Sequence, residues 1–259
     1  ASFTGGLAGA VAASTATAQA AGMRGGAGGD LLVNAADLTA TTSSEAHGVS
    51  VSFTPLGASV AGAYVDNATT ASAMSTGLSG ESGDDIIANE ENAEILLAAD
   101  ASTTDTAVAL SLAGLSAAES TALASAGVIG LDGGDDNDTV VNSGTIRSDH
   151  IDANAIARSV AFTAFGQGDA TANALGNAAA TGLSGGTGDD WLENAGVVDL
   201  NPHASSIGQS VSVALGGAAI GEANADALAE AAGIEGGSGE DTIMNTGEIS
   251  LDALASTTA

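Results

Sequence analysis

The chain has no cysteine and no lysine, and its only cationic side chains are three arginines. Without cysteine it has no disulfide bonds and no thiolate metal site. With 32 acidic residues and a net charge of −29, it lacks the basic face that nucleic-acid binding needs. Anionic membrane surfaces are equally poor partners, and no apolar run is long enough for membrane insertion. Such a chain repels itself unless cations neutralise it.

Aromatic residues are also scarce, at 2% of the chain, while glycine occurs 37 times. That combination would suggest disorder. However, 44% of the residues are hydrophobic and the sequence is strictly periodic, and both observations favour a packed fold. The sequence contains no G-x-S-x-G, no H-E-x-x-H and no phosphate-binding loop. Paired carboxylates recur throughout the chain, which suits a structural role better than one active site. We therefore predict that the protein is not an enzyme.

One ten-residue stretch occurs five times, with the pattern Gly-Gly-x-Gly-x-Asp-x-(large apolar)-x-Asn. The sixth residue is always aspartate, at spacings of 55, 53, 52 and 51: Asp30, Asp85, Asp138, Asp190 and Asp241. The tenth is always asparagine: Asn34, Asn89, Asn142, Asn194 and Asn245. A fixed period predicts a repeat architecture. We expect one array over 1–259, with units of approximately 1–48, 49–106, 107–158, 159–209 and 210–259, taken from a longer chain.

Each unit opens with a short apolar strand, and these strands contain the equivalent residues Phe3, Phe53, Leu110, Phe162 and Val213. A long alanine-rich stretch follows. Alanine favours helix, but the alanines alternate with larger or polar residues, as at Ala170, Ala172 and Ala174. A period of two favours a strand with one small-residue face. That face would let another backbone approach more closely than the usual ~10 Å between sheets.

After the glycine–aspartate turn, a second strand places its apolar residues and its asparagine on one face, as at Leu192, Asn194 and Val198. Such a unit cannot bury its apolar face alone, so neighbouring units must stack. The sequence predicts an all-β fold, a parallel β-solenoid of about five rungs of 51–55 residues, with the asparagines in an internal ladder. Two rungs per unit is the alternative; it would place the turns ~10 Å apart. After Asn89 the second unit has apparent extra residues.

Stacking one rung per unit also places the five aspartates in a column. Two carboxylates ~5 Å apart repel by roughly 3 kcal/mol at an effective dielectric of about 20. The chain has almost no cationic side chains to offset this. Calcium fits, because it takes six to eight oxygens from carboxylates and backbone carbonyls. A second acid stands nearby in four units: Asp84, Asp136, Asp189 and Glu240.

The motif resembles the calcium-binding nonapeptide of repeat-in-toxin proteins, which form parallel β-rolls. The resemblance implies that Ca²⁺ binds between successive turns, to the sixth-position aspartates and to glycine carbonyls. The glycines at the matching positions are Gly26, Gly28, Gly83, Gly134, Gly186, Gly188, Gly237 and Gly239. This chain departs from the family because some forty residues separate its motifs, and because Glu81 and Asp136 replace glycines.

We expect a structural, calcium-stabilised segment of a secreted bacterial surface adhesin or a self-assembling extracellular fibre, with other copies of itself as partner. The alternative is a calcium-dependent module that binds glycans or ice, and a weaker one is a secretion or folding module. The outward residues, such as Thr242, Met244 and Glu248, are of mixed type and form no uniform ladder, which argues against ice binding. His47, His150 and His203 are expected to be solvated loop residues, and Trp191 an isolated outward aromatic.

Overall fold

The structure is a computed structural model that describes residues 2–3, 8–55 and 62–259. These residues form fifteen strands and no helix, and so no helix able to cross a membrane. Ala1 and Thr4 of the first expected strand lie outside the described residues. The strands are β1 (Ser2–Phe3), β2 (Ala8–Ala27), β3 (Leu31–Asn34), β4 (Leu38–Thr54), β5 (Gly62–Ser82), β6 (Ile86–Asn89), β7 (Glu94–Asp135), β8 (Thr139–Asn142), β9 (Thr145–Thr187), β10 (Trp191–Asn194), β11 (Val197–Leu200), β12 (Pro202–Ser238), β13 (Thr242–Asn245), β14 (Glu248–Leu251) and β15 (Leu254–Thr258).

All strand pairs are parallel, and each residue lies opposite its equivalent in the next unit. Ile87 pairs with Val140, Val140 with Leu192 and Leu192 with Ile243. Hydrogen-bonded neighbours are therefore one full unit apart in sequence, which confirms the parallel β-solenoid with one rung per unit. The two-rung alternative is wrong. The opening strands also pair as expected, since Phe53 lies opposite Leu110 and Leu110 opposite Phe162.

Each rung extends outward and then folds back on itself. In the fourth unit β9 turns near Gly166, where φ is +137°, and Gly114 and Gly217 occupy the same place in their rungs with φ of +99° and +143°. We call residues before this bend the outward arm and those after it the return arm. The arms touch face to face: Ser116 Oγ donates to the Ala109 carbonyl at 2.7 Å. The rung is thus a flat, two-layered loop.

The interior between the two arms is filled by small side chains. The inward residues of the fourth return arm are buried alanines: Ala170, Ala172, Ala174, Ala178 and Ala180. The alternation therefore marks a strand, as expected, and not a helix. Close approach is direct, because a Cβ at Gly176 would lie 2.9 Å from the Ser205 carbonyl oxygen and 3.0 Å from that of Ala153.

Larger side chains fill the end of the rung away from the tip, where the arms meet the short strands. Buried columns of Leu78, Leu131 and Leu183 pack there with columns that include Ile87 and Ile146. This core is bounded on its outer side by a five-stranded sheet of β3, β6, β8, β10 and β13. The glycine–aspartate turns connect the return arms to these short strands, so the core fixes the position of every turn.

The second unit contains the extra residues that its sequence indicates. Asn89 pairs with Asn142, and Glu94 pairs with Thr145. The stretch from Asn89 to Glu94 is therefore two residues longer than the equivalent stretch from Asn142 to Thr145. The insertion forms a tight turn in which Asn92 has a φ of +68°. Pairing resumes at Glu94, the register shifts by one further residue between Leu97 and Ala98, and the turns remain stacked.

Candidate metal centre

The repeated turn needs a left-handed backbone at its second and fourth positions. Glycine supplies it in most units, with φ between +101° and +141°. The two non-glycine residues, Glu81 and Asp136, adopt the same conformation with φ of +76° and +77°. A left-handed conformation costs a non-glycine residue about 1–2 kcal/mol. The turn geometry is therefore kept in all five units, although two depart from the glycine pattern.

The sixth-position aspartates form a continuous column beneath the turns. In four of the five, one carboxylate oxygen, Oδ1, accepts a hydrogen bond from the backbone N–H of the aspartate in the preceding unit. The N···O distances are 2.6 Å from Asp30 to Asp85, 2.8 Å from Asp85 to Asp138, 2.8 Å from Asp138 to Asp190 and 3.1 Å from Asp190 to Asp241. The three central carboxylates are buried, at 1–3% exposure. One-rung stacking thus brings like charges into adjacent buried positions.

The other carboxylate oxygen has no partner. Oδ2 of Asp30, Asp85, Asp138 and Asp190 is buried and makes no hydrogen bond. At Asp138 it lies beside Gly133, where an added Cβ would be 2.5 Å from Oδ2 and 2.4 Å from the carbonyl oxygen of Gly185 in the next rung. A carboxylate oxygen and a carbonyl oxygen of the next rung therefore both pack closely against the α-carbon of Gly133. A buried anionic oxygen without a partner is costly.

This donor set fits a hard cation. Carboxylate and carbonyl oxygens from successive turns are the ligands that calcium prefers. Among the described residues, no three acidic or histidine side chains converge as a metal cluster. A calcium ion at this column would therefore have one carboxylate ligand from each turn, the aspartate Oδ2, and would need backbone carbonyls for the rest. Bound there, the ion would supply the positive charge that the column lacks.

The second acids form a separate, exposed column at the fifth position of the turn. Asp84 Oδ1 accepts the N–H of Asn137 at 3.1 Å, and Asp189 Oδ1 accepts the N–H of Glu240 at 2.8 Å. In the third unit the column member is Asn137, whose Oδ1 accepts the N–H of Asp189 at 2.8 Å. Asp136 lies one position earlier in the turn and is outside this column. These side chains face solvent, away from the buried Oδ2 atoms.

The asparagines form a hydrogen-bonded ladder on the inner face of the short strands. The Nδ2 group of each donates to Oδ1 of the next, from Asn34 to Asn89 and Asn89 to Asn142 at 2.9 Å, and from Asn142 to Asn194 and Asn194 to Asn245 at 2.8 Å. Asn142 and Asn194 are fully buried. The ladder satisfies polar groups that burial would otherwise penalise, and it holds the short strands in register next to the aspartate column.

Burial, with like charges above and below, raises the pKa of Asp138 from 3.8 to about 7. Burial likewise raises the pKa of Asp190, with Asp241 and Asp189 contributing repulsion. A carboxyl whose pKa is higher in the folded state binds protons preferentially in that state. Without metal, the folded protein is therefore stabilised by protonation of this column.

We expect the chelated protein to lose stability as pH rises from 3.8 to about 7, the interval between the unfolded and folded pKa of Asp138. Below that interval the carboxyl is neutral in both states, and above it the full cost of the buried charge is present. Thermal unfolding followed by circular dichroism across this range, in chelator, measures the effect. Stability that rises with pH across the interval would contradict it.

The histidines lie in strands, so their expected position in loops is wrong, but their side chains are solvated, at 41–59% exposure. His47 is in β4, His150 in β9 and His203 in β12. They point outward, and each lies near one carboxylate: 2.8 Å from Glu45, 3.3 Å from Asp149 and 3.3 Å from Asp152. Their positions fall in different columns of the outward arm, so the three do not form a shared site.

Sequence reasoning missed a buried acid inside the arm. Asp105 is 0% exposed and accepts hydrogen bonds from Thr69 Oγ1 at 3.1 Å, Ser120 Oγ at 3.0 Å and the Thr121 N–H at 3.1 Å. Burial raises its pKa, and these donors oppose the shift. Asp105 alternates in step with the inward residues Thr103 and Ala107, and this spacing could have indicated from the sequence that its side chain is buried. Its oxygens are satisfied, so it serves the packing of the arms.

Comparisons of this chain with protein families, curated proteins and solved structures find no match. Function is therefore inferred from the aspartate column and from the surfaces of the solenoid.

Proposed function

We propose that the chain is a structural, calcium-stabilised solenoid segment of a secreted bacterial surface adhesin or self-assembling extracellular fibre. The observation that carries this proposal is the column of buried aspartates, four of whose Oδ2 oxygens have no hydrogen-bond partner. Calcium sites of modest affinity suit an extracellular protein, where modules work with Kd values of about 10⁻⁴–10⁻³ M.

The charge balance supports a cation-dependent fold. Among the described residues, the arginine–carboxylate pairs are Arg24–Glu81 at 3.1 Å and Arg147–Glu94 at 2.7 Å, and both are largely exposed. Exposed pairs contribute little to stability, typically about 0.2–1 kcal/mol. Neither pair includes an aspartate of the column. Neutralisation of the net charge of −29 therefore depends on ions from solution.

We expect calcium to raise the thermal midpoint of the protein at neutral pH by a large margin, and chelator to reverse the change. Ligand that binds only the folded state stabilises by about 2.7 kcal/mol per site at a concentration 100 times its Kd. Far-UV circular dichroism during a calcium titration, with a magnesium titration beside it, measures the effect. A midpoint that calcium leaves unchanged would remove metal from this proposal.

Asp138→Asn is the matched variant for this experiment. The asparagine keeps the Oδ1 acceptor and replaces the buried, unpartnered Oδ2 with a neutral amide group, so it removes a buried charge. Its metal-free form should therefore be more stable than the wild type at neutral pH and should respond less to calcium. Asp199→Asn, a change at an outward-facing position of β11 away from the turns, serves as the control of equal charge.

End-to-end assembly is supported by open columns at the last rung. Ile243 and Leu251 are 51% and 41% exposed, whereas Leu192 and Leu200, which lie opposite them in the preceding rung, are 0% exposed. A further rung of the same kind would cover both residues and pair the free backbone edge. A continuing chain with the same repeat, or another copy of this solenoid stacked head to tail, would provide such a rung.

We expect Ile243→Lys to shift the protein from oligomers or fibres to monomers, because it places a charge on the stacking surface. Thr242→Lys is its control, since Thr242 points outward at the same rung. Sedimentation velocity and electron microscopy in calcium buffer compare the variants. Monomeric wild type at high concentration would remove self-assembly from the proposal and leave the calcium result standing.

A further inference from the structure

The five-stranded sheet has an outer surface that nothing in the described residues covers. Each of its strands has two outward positions, and register aligns them in two rows. One row is Leu31, Ile86, Thr139, Trp191 and Thr242; the other is Val33, Ala88, Val141, Glu193 and Met244. We call these ten residues the outer face. Leu31, Ile86 and Trp191 are 70%, 51% and 42% exposed.

The outer face is mainly apolar, in a chain whose net charge is −29. Seven of its ten residues are apolar, and Glu193 is its one charged member. Trp191 lies between Thr139 and Thr242 in the first row and is the one aromatic residue of the outer face. A flat, contiguous apolar surface is typical of a binding site.

Carboxylates border the outer face on two sides. On the side of the turns, exposed Asp84, Asp189 and Glu240 lie two residues before the first row, in the bends that lead into β6, β10 and β13. On the opposite side, exposed Glu90 and Glu91 follow β6 in the inserted turn. No lysine or arginine occurs in the five strands or in the glycine–aspartate turns that precede them. The face is thus an apolar strip with carboxylates along the side of the turns and, in the second unit, at the opposite side as well.

We propose that the outer face binds a basic amphipathic segment of a partner polypeptide. The apolar side of such a segment would cover the row around Ile86 and Trp191, while its lysines or arginines would pair with the carboxylates at the margins. A second copy of this chain is a poor occupant, because it would bring its own acidic margins against these. The partner is therefore complementary in charge as well as in apolar surface.

Trp191 is the only tryptophan in the chain and reports directly on this surface. A short helical peptide of leucine and lysine, titrated into the calcium-loaded protein, should shift Trp191 emission to shorter wavelength as water is excluded from the ring. A lysine–serine peptide of equal charge should bind at least tenfold more weakly. Calorimetry gives the affinity without relying on the fluorophore.

Ile86→Ser should weaken binding of the leucine–lysine peptide at least tenfold. Val211→Ser, at a valine 52% exposed on the outward arm, should leave it unchanged. Circular dichroism establishes that both variants fold, and Leu31→Ser gives a second test at the edge of the face. Equal binding of the two peptides, or equal loss in both variants, would overturn the proposal. So would an emission shift produced by protein concentration alone, which indicates a second copy, or by neutral oligosaccharides alone.

Discussion

Gly133→Ala is expected to lower the free energy of unfolding by about 3 kcal/mol, at the upper end of the cost of overpacking a buried site. The added Cβ would lie 2.4 Å from the Gly185 carbonyl oxygen and 2.5 Å from Asp138 Oδ2. The first contact is with the backbone of the neighbouring rung, which is held by the hydrogen bonds of the sheet and cannot move alone. Urea unfolding followed by circular dichroism measures the loss.

Gly9→Ala is the control for this substitution. Gly9 lies in β2, and a Cβ added there meets nothing within 4 Å. Neither glycine has a φ in the left-handed region, so the comparison isolates steric contact from backbone preference. The Gly9 variant should remain within about 0.5 kcal/mol of the wild type. If both variants unfold alike, the close contact between turn and carboxylate does not limit stability.

Asn142→Ala is expected to cost about 3 kcal/mol, because it removes the middle of the asparagine ladder. It takes away the acceptor for Asn89 Nδ2 at 2.9 Å and the donor to Asn194 Oδ1 at 2.8 Å. Both of those neighbours are buried, at 1% and 0% exposure, so water cannot replace the lost partner. A cavity is left as well. Thermal and urea unfolding measure the combined effect.

The last residue of the same ladder provides the comparison. Asn245 is exposed and accepts one ladder hydrogen bond, from Asn194 at 2.8 Å. Asn245→Ala should therefore cost less than half as much as Asn142→Ala, since water can solvate Asn194 at that end. Equal losses at the two positions would mean that the amides stabilise their strands locally and not as a ladder.

The repeat made the fold predictable from sequence. A period of 51–55 residues sets which residues stack, and a period of two sets which of them point inward. Those two periods place Asn194 above Asn142 and Leu192 above Val140, as the register has them. The strand assignment of the alanine-rich stretch followed from the same alternation, against the helix preference of alanine.

The finer features of the candidate site depend on distances that a pattern does not contain. Spacing places Asp138 in a column, but only coordinates show that Oδ1 accepts a backbone N–H while Oδ2 has no partner. Spacing also suggested Asp136 as the second acid, whereas Asn137 occupies that column. The pattern places Trp191 on the outward side, but only the structure gives its exposure, 42%.

Each rung is joined to the next by a single covalent connection, and this determines how the solenoid responds to a pulling force. Hydrogen bonds between rungs run along the axis, so a chain pulled from its two ends detaches its outermost rung residue by residue. A released rung of 51 residues contributes about 175 Å of extended polypeptide, against ~4.8 Å of height in the stack. The extended polypeptide is therefore more than thirty times as long as the height of the rung from which it came. A segment built in this way absorbs a sudden load by extension while its remaining rungs stay folded.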